Sequence, residues 1–194
     1  MEMPNTKPAA LTQEELEKKY IKASKVSPVK CNPAVKEARH KKALMKALLD
    51  DRLDIIATDH APHTLEEKQG LYLKAPSGLP LVQHSLNMML DFYQDGVIGL
   101  EKVVEKMSHA PAICFEIQER GFIREGYFAD LALVNMNDEW TVSKDNVRFK
   151  CGWSPLEGKI FRNKVVSTFV NGFEVYSNGQ INEQQKGSRI TFNR

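Results

Sequence analysis

The chain has 194 residues, 42% hydrophobic and 27% charged, the profile of a soluble globular protein rather than a disordered or fibrous one. Its formal net charge of +2 and pI near 8.3 come from Lys and Arg dispersed among nearly as many acids, which excludes the electrostatic footprint of a nucleic-acid binder. No run approaches the ~18 consecutive apolar residues of a membrane span, and the N-terminus has no signal-peptide core. Cys31, Cys114 and Cys151 are widely spaced and form no CxxC, which reads as reduced thiols in a cytoplasmic protein.

In chain order, Met3-Pro4-Asn5-Thr6-Lys7-Pro8 is a turn-rich loop, and Thr12-Gln13-Glu14-Glu15 opens a helix to about Ala23 with a Thr cap and acids in its first turn. A short extended run, 25–31, follows. Asn32-Pro33 then predicts a second helix, with Asn as N-cap and Pro at the first helical position, whose apolar residues Val35, Ala38, Leu44, Ala47, Leu48 and Leu49 recur at helical spacing. After a reversal at Asp50-Asp51, the apolar run Leu53 to Thr58 predicts a buried strand. Glu66 to Ser77 reads as a polar loop, and Leu79 to Tyr93 as a helix with a core stripe of Leu79, Val82, Leu86, Met89, Leu90 and Tyr93. A third helix, Gly99 to Met107, closes at Ser108-His109-Ala110-Pro111, with a short helical turn to Ile117. From Gly121 the period changes to short β runs at 130–134, 140–142, 165–170 and 173–176, punctuated by Asn-Gly pairs; Asn171-Gly172 between two such runs predicts a hairpin. A polar tail begins at Asn178.

The segment Asp54-Ile55-Ile56-Ala57-Thr58-Asp59-His60-Ala61-Pro62-His63-Thr64 is the most informative in the chain. An apolar β-branched run delivers an acid and two histidines into a Pro-broken turn, as a barrel strand presents a catalytic carboxylate at its C-terminal end. By itself the pattern also fits a hydrogen-bonded structural pair. Together with Met3-Pro4-Asn5-Thr6, Lys30-Cys31-Asn32-Pro33 and Ser77-Gly78 in the same order, it resembles the dihydroorotases of the metal-dependent amidohydrolase superfamily. Gly121-Phe122-Ile123-Arg124-Glu125-Gly126-Tyr127-Phe128-Ala129-Asp130 is similar to the entry into that superfamily's C-terminal β-sandwich.

The resemblance implies roles residue by residue. Asp59 would be both zinc ligand and catalytic proton shuttle. Asn5 and His63 would hold the substrate carboxylate, Asn32 would lie against the substrate ring, and the Ser77-Gly78 backbone would hydrogen-bond it. His60 and His109 are expected to be structural.

The departures from the family pattern are as definite. The family's His-x-His pair, its bridging carboxylate and two further histidine ligands belong before Asp59, where His40 is the only histidine. Between Asn5 and Asn32 the family places strands three to seven; about 25 residues stand there, fewer than one βαβ crossover of roughly 30. The expected architecture is therefore α/β: a partial TIM-barrel remnant of a metal-dependent hydrolase over 1–118, a β-sandwich segment over 119–178 and a polar tail over 179–194. The expected function is interconversion of N-carbamoyl-aspartate and dihydroorotate in pyrimidine biosynthesis, with this chain incomplete and inactive alone. A non-catalytic partner or scaffold is the rival reading. The expected partners are the small-molecule substrate and, through exposed strand edges, other copies of the chain.

Overall fold

The structure is a computed structural model and describes residues 29–35, 37–69 and 72–193. Asn5 and the helix expected over 12–23 lie outside the described residues.

Helix α1, Ala38–Leu49, begins later than the Asn32-Pro33 signal implied: its N-cap is Glu37, without a side-chain cap bond, and Asn32-Pro33 forms a turn with a cis peptide bond. Only Leu48 of its apolar set is buried, while Val35 just before it is 75% exposed and Leu44 60% exposed. The chain reverses at Asp50 and Asp51, where Lys102 and Lys106 both reach the Asp51 carboxylate, at 2.8 and 2.9 Å, and hold it below the usual carboxylate range.

Residues 53–58, expected as a buried strand, join no sheet. A parallel strand needs a ladder partner on each side, and no described residues supply one. The segment is held instead by Ile56 N–H donating to the Lys106 carbonyl at 3.0 Å, and it ends in a single parallel bridge between His60 and Leu79.

The region expected as a polar loop starts with a helical turn, α2, Leu65–Lys68. Thr64 and Glu67 close a capping box around it, each side chain satisfying the other's backbone N–H. After a 3-10 turn at Val82–His84 comes α3, Ser85–Gln94, whose buried residues are Asn87, Met89, Leu90 and Asp91. The expected stripe is corrected at both ends, since Val82 is 54% and Tyr93 37% exposed. The helix turns Asn87 and Asp91 inward because polar partners from the β region await them. Helix α4, Leu100–Val104, runs through a π-type turn at Glu105–His109 directly into α5, Ala110–Cys114, rather than closing before Pro111. The widened turn precedes a proline that brings no N–H of its own.

The β region follows its turn signals closely. Strands β1, Leu131–Asn135, β4, Lys164–Val170, β5, Phe173–Ser177, and β6, Gln180–Ile181, form an antiparallel sheet in the order β1-β4-β5-β6. β2, Trp140–Thr141, pairs with β3, Ile160–Phe161. At the β4-β5 hairpin Asn171 and Gly172 have φ of +53° and +85°, the two left-handed positions a type I′ turn requires. Beyond Asn178 the chain is exposed but not unpaired: β6 adds to the sheet, and Phe192 bridges back to Ile117.

The core joins the two regions. Leu48, Met89, Leu90, Ile98 and Val103 are buried together, with Ile56, Met107 and Val134 packed against them. A second seam is polar: Asn87 donates to the Asn163 carbonyl at 3.0 Å, Asn163 donates to Asp91 at 3.1 Å, and Lys159 reaches Asp91 at 2.7 Å. Asn163 is fully buried, so each of these bonds replaces water that the group has lost.

Candidate active site

Three loops meet where the unpaired segment ends. The first carries Lys30, Cys31 and Asn32, the second runs from Asp59 to His63, and the third contains Ser77 and Gly78. Their junction is a close backbone approach. Gly78 has φ +124°, and a Cβ built on it would stand 2.3 Å from the Ala61 Cβ, so no other residue fits there without displacing the Asp59 loop. Gly78 N–H donates to the Lys30 carbonyl at 2.9 Å, while Ala61 N–H donates to the Leu79 carbonyl at 3.1 Å. Two short bonds thus tie the third loop to the first and to the second.

Asp59 is exposed at this junction, with φ +45°, a left-handed conformation that Asp tolerates better than most residues. His63, four residues on, is half-buried. Its backbone carbonyl accepts from the buried Trp153 indole N–H at 2.8 Å, and its Nδ1 lies 3.5 Å from the Glu67 carboxylate, a contact longer than a hydrogen bond. Glu67 is itself fixed by the capping box. Asn32 is exposed on the first loop and Ser77 half-buried on the third. The Gly78 N–H, which the resemblance assigned to the substrate ring, is already donated to Lys30; the Gly78 carbonyl retains one lone pair beyond the bond it receives from Lys68.

His60 has a structural role. Its Nδ1 accepts from the N–H groups of Leu81 and Val82, at 3.1 and 3.3 Å, capping the turn that leads into α3. To accept there, Nδ1 carries no proton. His109 stacks on Phe122 with ring centroids 4.3 Å apart.

Sequence reasoning missed Lys68, which is 1% exposed although lysine is almost never fully buried. Its ammonium donates to three carbonyls, those of Lys30 at 3.0 Å, Pro76 at 3.0 Å and Gly78 at 2.8 Å. The readable signal was Thr64-x-x-Glu67, a capping box that would have placed Lys68 on a helix rather than in a loop. Burial pushes the Lys68 amine below its ordinary value.

Among the described residues no group of three or more His, Cys, Asp or Glu side chains is gathered closely enough to hold a metal ion. A catalytic zinc takes typically three protein ligands, so the single zinc role carried to Asp59 does not amount to a site here. A cavity of about 1080 Å³ opens elsewhere, among Gln83, Trp140, Arg148, Thr168, Tyr176 and Ile181, and none of Asn32, Asp59, His63, Ser77 and Gly78 lines it.

The amidohydrolase family matches residues 7–175. This chain belongs to that family. It is 36% identical over 162 residues to the dihydroorotase of Pyrococcus furiosus, covering 84% of this chain and 37% of that one. With the dihydroorotase of Pyrococcus abyssi it shares 36% identity over 180 residues, 93% of this chain and 41% of the relative. The amidohydrolase chain thus spans about two fifths of the length of these curated relatives. Its fold superposes on L-hydantoinase (dihydropyrimidinase) from Arthrobacter aurescens with a TM-score of 0.75 and 28% identity, over 80% of this chain and 36% of that one. Dihydropyrimidinase from Brevibacillus agri gives 0.72 over 79% of this chain and 35% of that one; at 22% identity it speaks for the fold alone. The likeness to dihydroorotases expected from the motifs therefore stands, as does an α/β chain in a family of TIM-barrel-type metal hydrolases. No helix of the described residues is long and apolar enough to cross a membrane.

Proposed function

We propose that this chain carries the substrate-binding and proton-transfer part of a dihydroorotase-like cyclic amidohydrolase, acting between dihydroorotate and N-carbamoyl-aspartate, within a partial barrel over 1–118 and a β-sandwich segment over 119–178. The observation that supports it best is the junction of three sequence-distant loops, through Gly78 N–H to Lys30 O at 2.9 Å and Ala61 N–H to Leu79 O at 3.1 Å, at Asp59. These loops bear the residues that the dihydroorotase resemblance picked out, Asn5 excepted, which lies outside the described residues.

In this reading Asn32 and the Ser77-Gly78 backbone face the ring, and His63, with Asn5, holds the carboxylate. Water adds to the ring amide carbonyl, Asp59 takes a proton from it, and the same proton is returned to the ring nitrogen as the C–N bond breaks. The family's zinc chemistry would activate that water, but the described residues do not form its site, and the chain alone is expected to bind rather than turn over. A second reading, a non-catalytic partner or scaffold, is favoured by the exposed apolar residues Val35, Leu44 and Leu49 around α1.

Titration of the isotope-labelled chain with L-dihydroorotate tests the site. Shifts confined to Asn5, Asn32, Asp59, His63, Ser77 and Gly78, and weakened by Asp59→Ala, are the expected result; shifts nowhere near these residues would sink the assignment. After dialysis against a weak chelator, well under one zinc per chain should remain. Elemental analysis returning one or two tightly held ions would require a ligand set rebuilt from other residues or across subunits.

A further inference from the structure

Lys68 is the least expected feature of this region, and nothing in the proton-transfer reading uses it. A lysine ammonium has three N–H donors and no acceptor. All three are spent on main-chain carbonyls, of Lys30, Pro76 and Gly78, each at 3.0 Å or less, and the lysine itself is buried. The three carbonyls belong to the first and third loops of the junction, and the lysine itself hangs from α2, the helical turn that follows the second. One side chain therefore spans all three. Lys30 reinforces the same seam from the other side, donating to the Tyr72 and Ala75 carbonyls at 2.7 and 2.6 Å.

Such an arrangement is costly unless position matters. A buried ammonium loses its hydration, and an apolar side chain would fill the same volume without that loss. What an apolar side chain lacks is direction: three charge-assisted bonds fix where three carbonyls point. Two of these groups neighbour Cys31-Asn32 and Ser77 in sequence, and the third is Gly78 itself.

We propose that Lys68 is the positioning residue of the cyclic-amide site: its ammonium locks the Lys30, Pro76 and Gly78 carbonyls so that Asn32 and the Ser77-Gly78 backbone face one ligand. This rests on the reading of the site as one for dihydroorotate. Lys68 touches no ligand and acts through the backbone it holds. Arginine cannot replace it, because a planar guanidinium fork does not direct three donors to three convergent carbonyls from a compact centre.

The test compares the 194-residue protein with Lys68→Met and Lys68→Arg by amide hydrogen exchange and by titration with L-dihydroorotate. In both variants the Gly78 amide should exchange at least about tenfold faster and dihydroorotate should bind at least about tenfold more weakly, while the amides of β4 and β5 keep wild-type protection. Wild-type Gly78 protection and wild-type affinity in Lys68→Met would overturn the proposal, and so would full rescue by Lys68→Arg. If both variants fail to fold, the unmodified protein decides: a resolved, slowly exchanging Lys68 ammonium signal supports the lock, and a solvent-like one ends it. Should the unmodified protein bind no dihydroorotate, the site reading falls and the positioning role with it, and Gly78 exchange then reports only whether the lock itself exists.

Discussion

Residues 131–181 and residues 29–114 come from the same ordinary composition, yet they meet their backbone obligations in opposite ways. In the β region every strand finds its partner within a short stretch of chain or across one antiparallel crossing, β4 with both β1 and β5, and β5 with β6. In the helical region the one segment patterned as a parallel barrel strand has no ladder and hangs on the Lys106 carbonyl and a single bridge to Leu79. Antiparallel hairpins are local and complete themselves; a parallel strand depends on crossovers that bring distant residues to both its edges. The same chain therefore holds a part whose strands pair among themselves and a part whose strand-patterned segment has no ladder partner among the described residues.

The comparison breaks first at the seam between the regions. Phe161 is fully buried, with its ring 5.9 Å from His84 and 5.5 Å from Trp140. Phe161→Ala should cost about 3–5 kcal/mol by urea denaturation. A loss below about 1 kcal/mol would mean that Phe161 does not anchor the β region to the helical one.

Next is Asp91, on α3, which receives Lys159 at 2.7 Å and Asn163 at 3.1 Å from the β region. Asp91→Ala removes the shortest of the acceptors of the buried Asn163 amide and leaves it the longer bonds to the Asn87 carbonyl at 3.3 Å and Gln94 Oε1 at 3.4 Å, whereas Lys159 and Arg162, whose Nε lies 3.7 Å from Asp91, keep access to water. The expected loss is therefore about 1–3 kcal/mol rather than the larger cost of stranding buried charges. If it is absent, the two regions are joined by their apolar core alone.

These contacts also mark the limit of what the sequence could tell. The Asn171-Gly172 hairpin was legible because a type I′ turn needs two left-handed residues, and the four expected strands fell within a residue or two of their places, whereas the two-residue β3 was not expected and β6 lies where a polar tail was. The segment 53–58 was patterned as a strand but forms none, since an apolar run says what a segment would bury and not whether its partners are present. The polar seam of Asn87, Asp91 and Asn163 was invisible because each residue alone reads as solvent-facing, and only the fold brings them together. In the candidate site, the motif pointed to Asp59, His63 and Gly78, whose loops the fold brings together. Lys68 was not, because the burial of a charged group depends on carbonyls donated by loops 8 and 38 residues away.

His84 sharpens the comparison through pH. It is fully buried among Trp140, Phe149 and Phe161, neither ring nitrogen has a hydrogen-bond partner among the described residues, and burial pushes its imidazole below the ordinary value. Above pH ~6.5 both folded and unfolded forms are neutral and stability does not depend on this group. As pH falls below that, the unfolded chain takes up a proton that the fold refuses, so stability drops by at most about 1.4 kcal/mol per pH unit until the folded value is reached. Urea midpoints between pH 7.5 and 5 should fall in the wild type, and more gently in His84→Phe. Equal slopes for the two would place the acid sensitivity elsewhere.

The smallest effect on stability is expected on the helical side of the molecule. Leu44 is 60% exposed on α1, so Leu44→Glu removes little buried area and should change the urea midpoint by no more than about 0.5 kcal/mol. Its consequence lies in association. Leu44 and Leu49 stay exposed on the same helix, with Val35 just before it, and the neighbouring residues 53–58 have no ladder partner among the described residues; apolar side chains beside such a segment are the combination that draws chains together. The wild-type protein should therefore elute from a sizing column as a concentration-dependent mixture of monomer and larger species, and Leu44→Glu should shift it toward monomer at unchanged stability. A sharp wild-type monomer across a hundredfold range of concentration would mean that this face needs no cover, and that the helical region is as self-sufficient as the sheet.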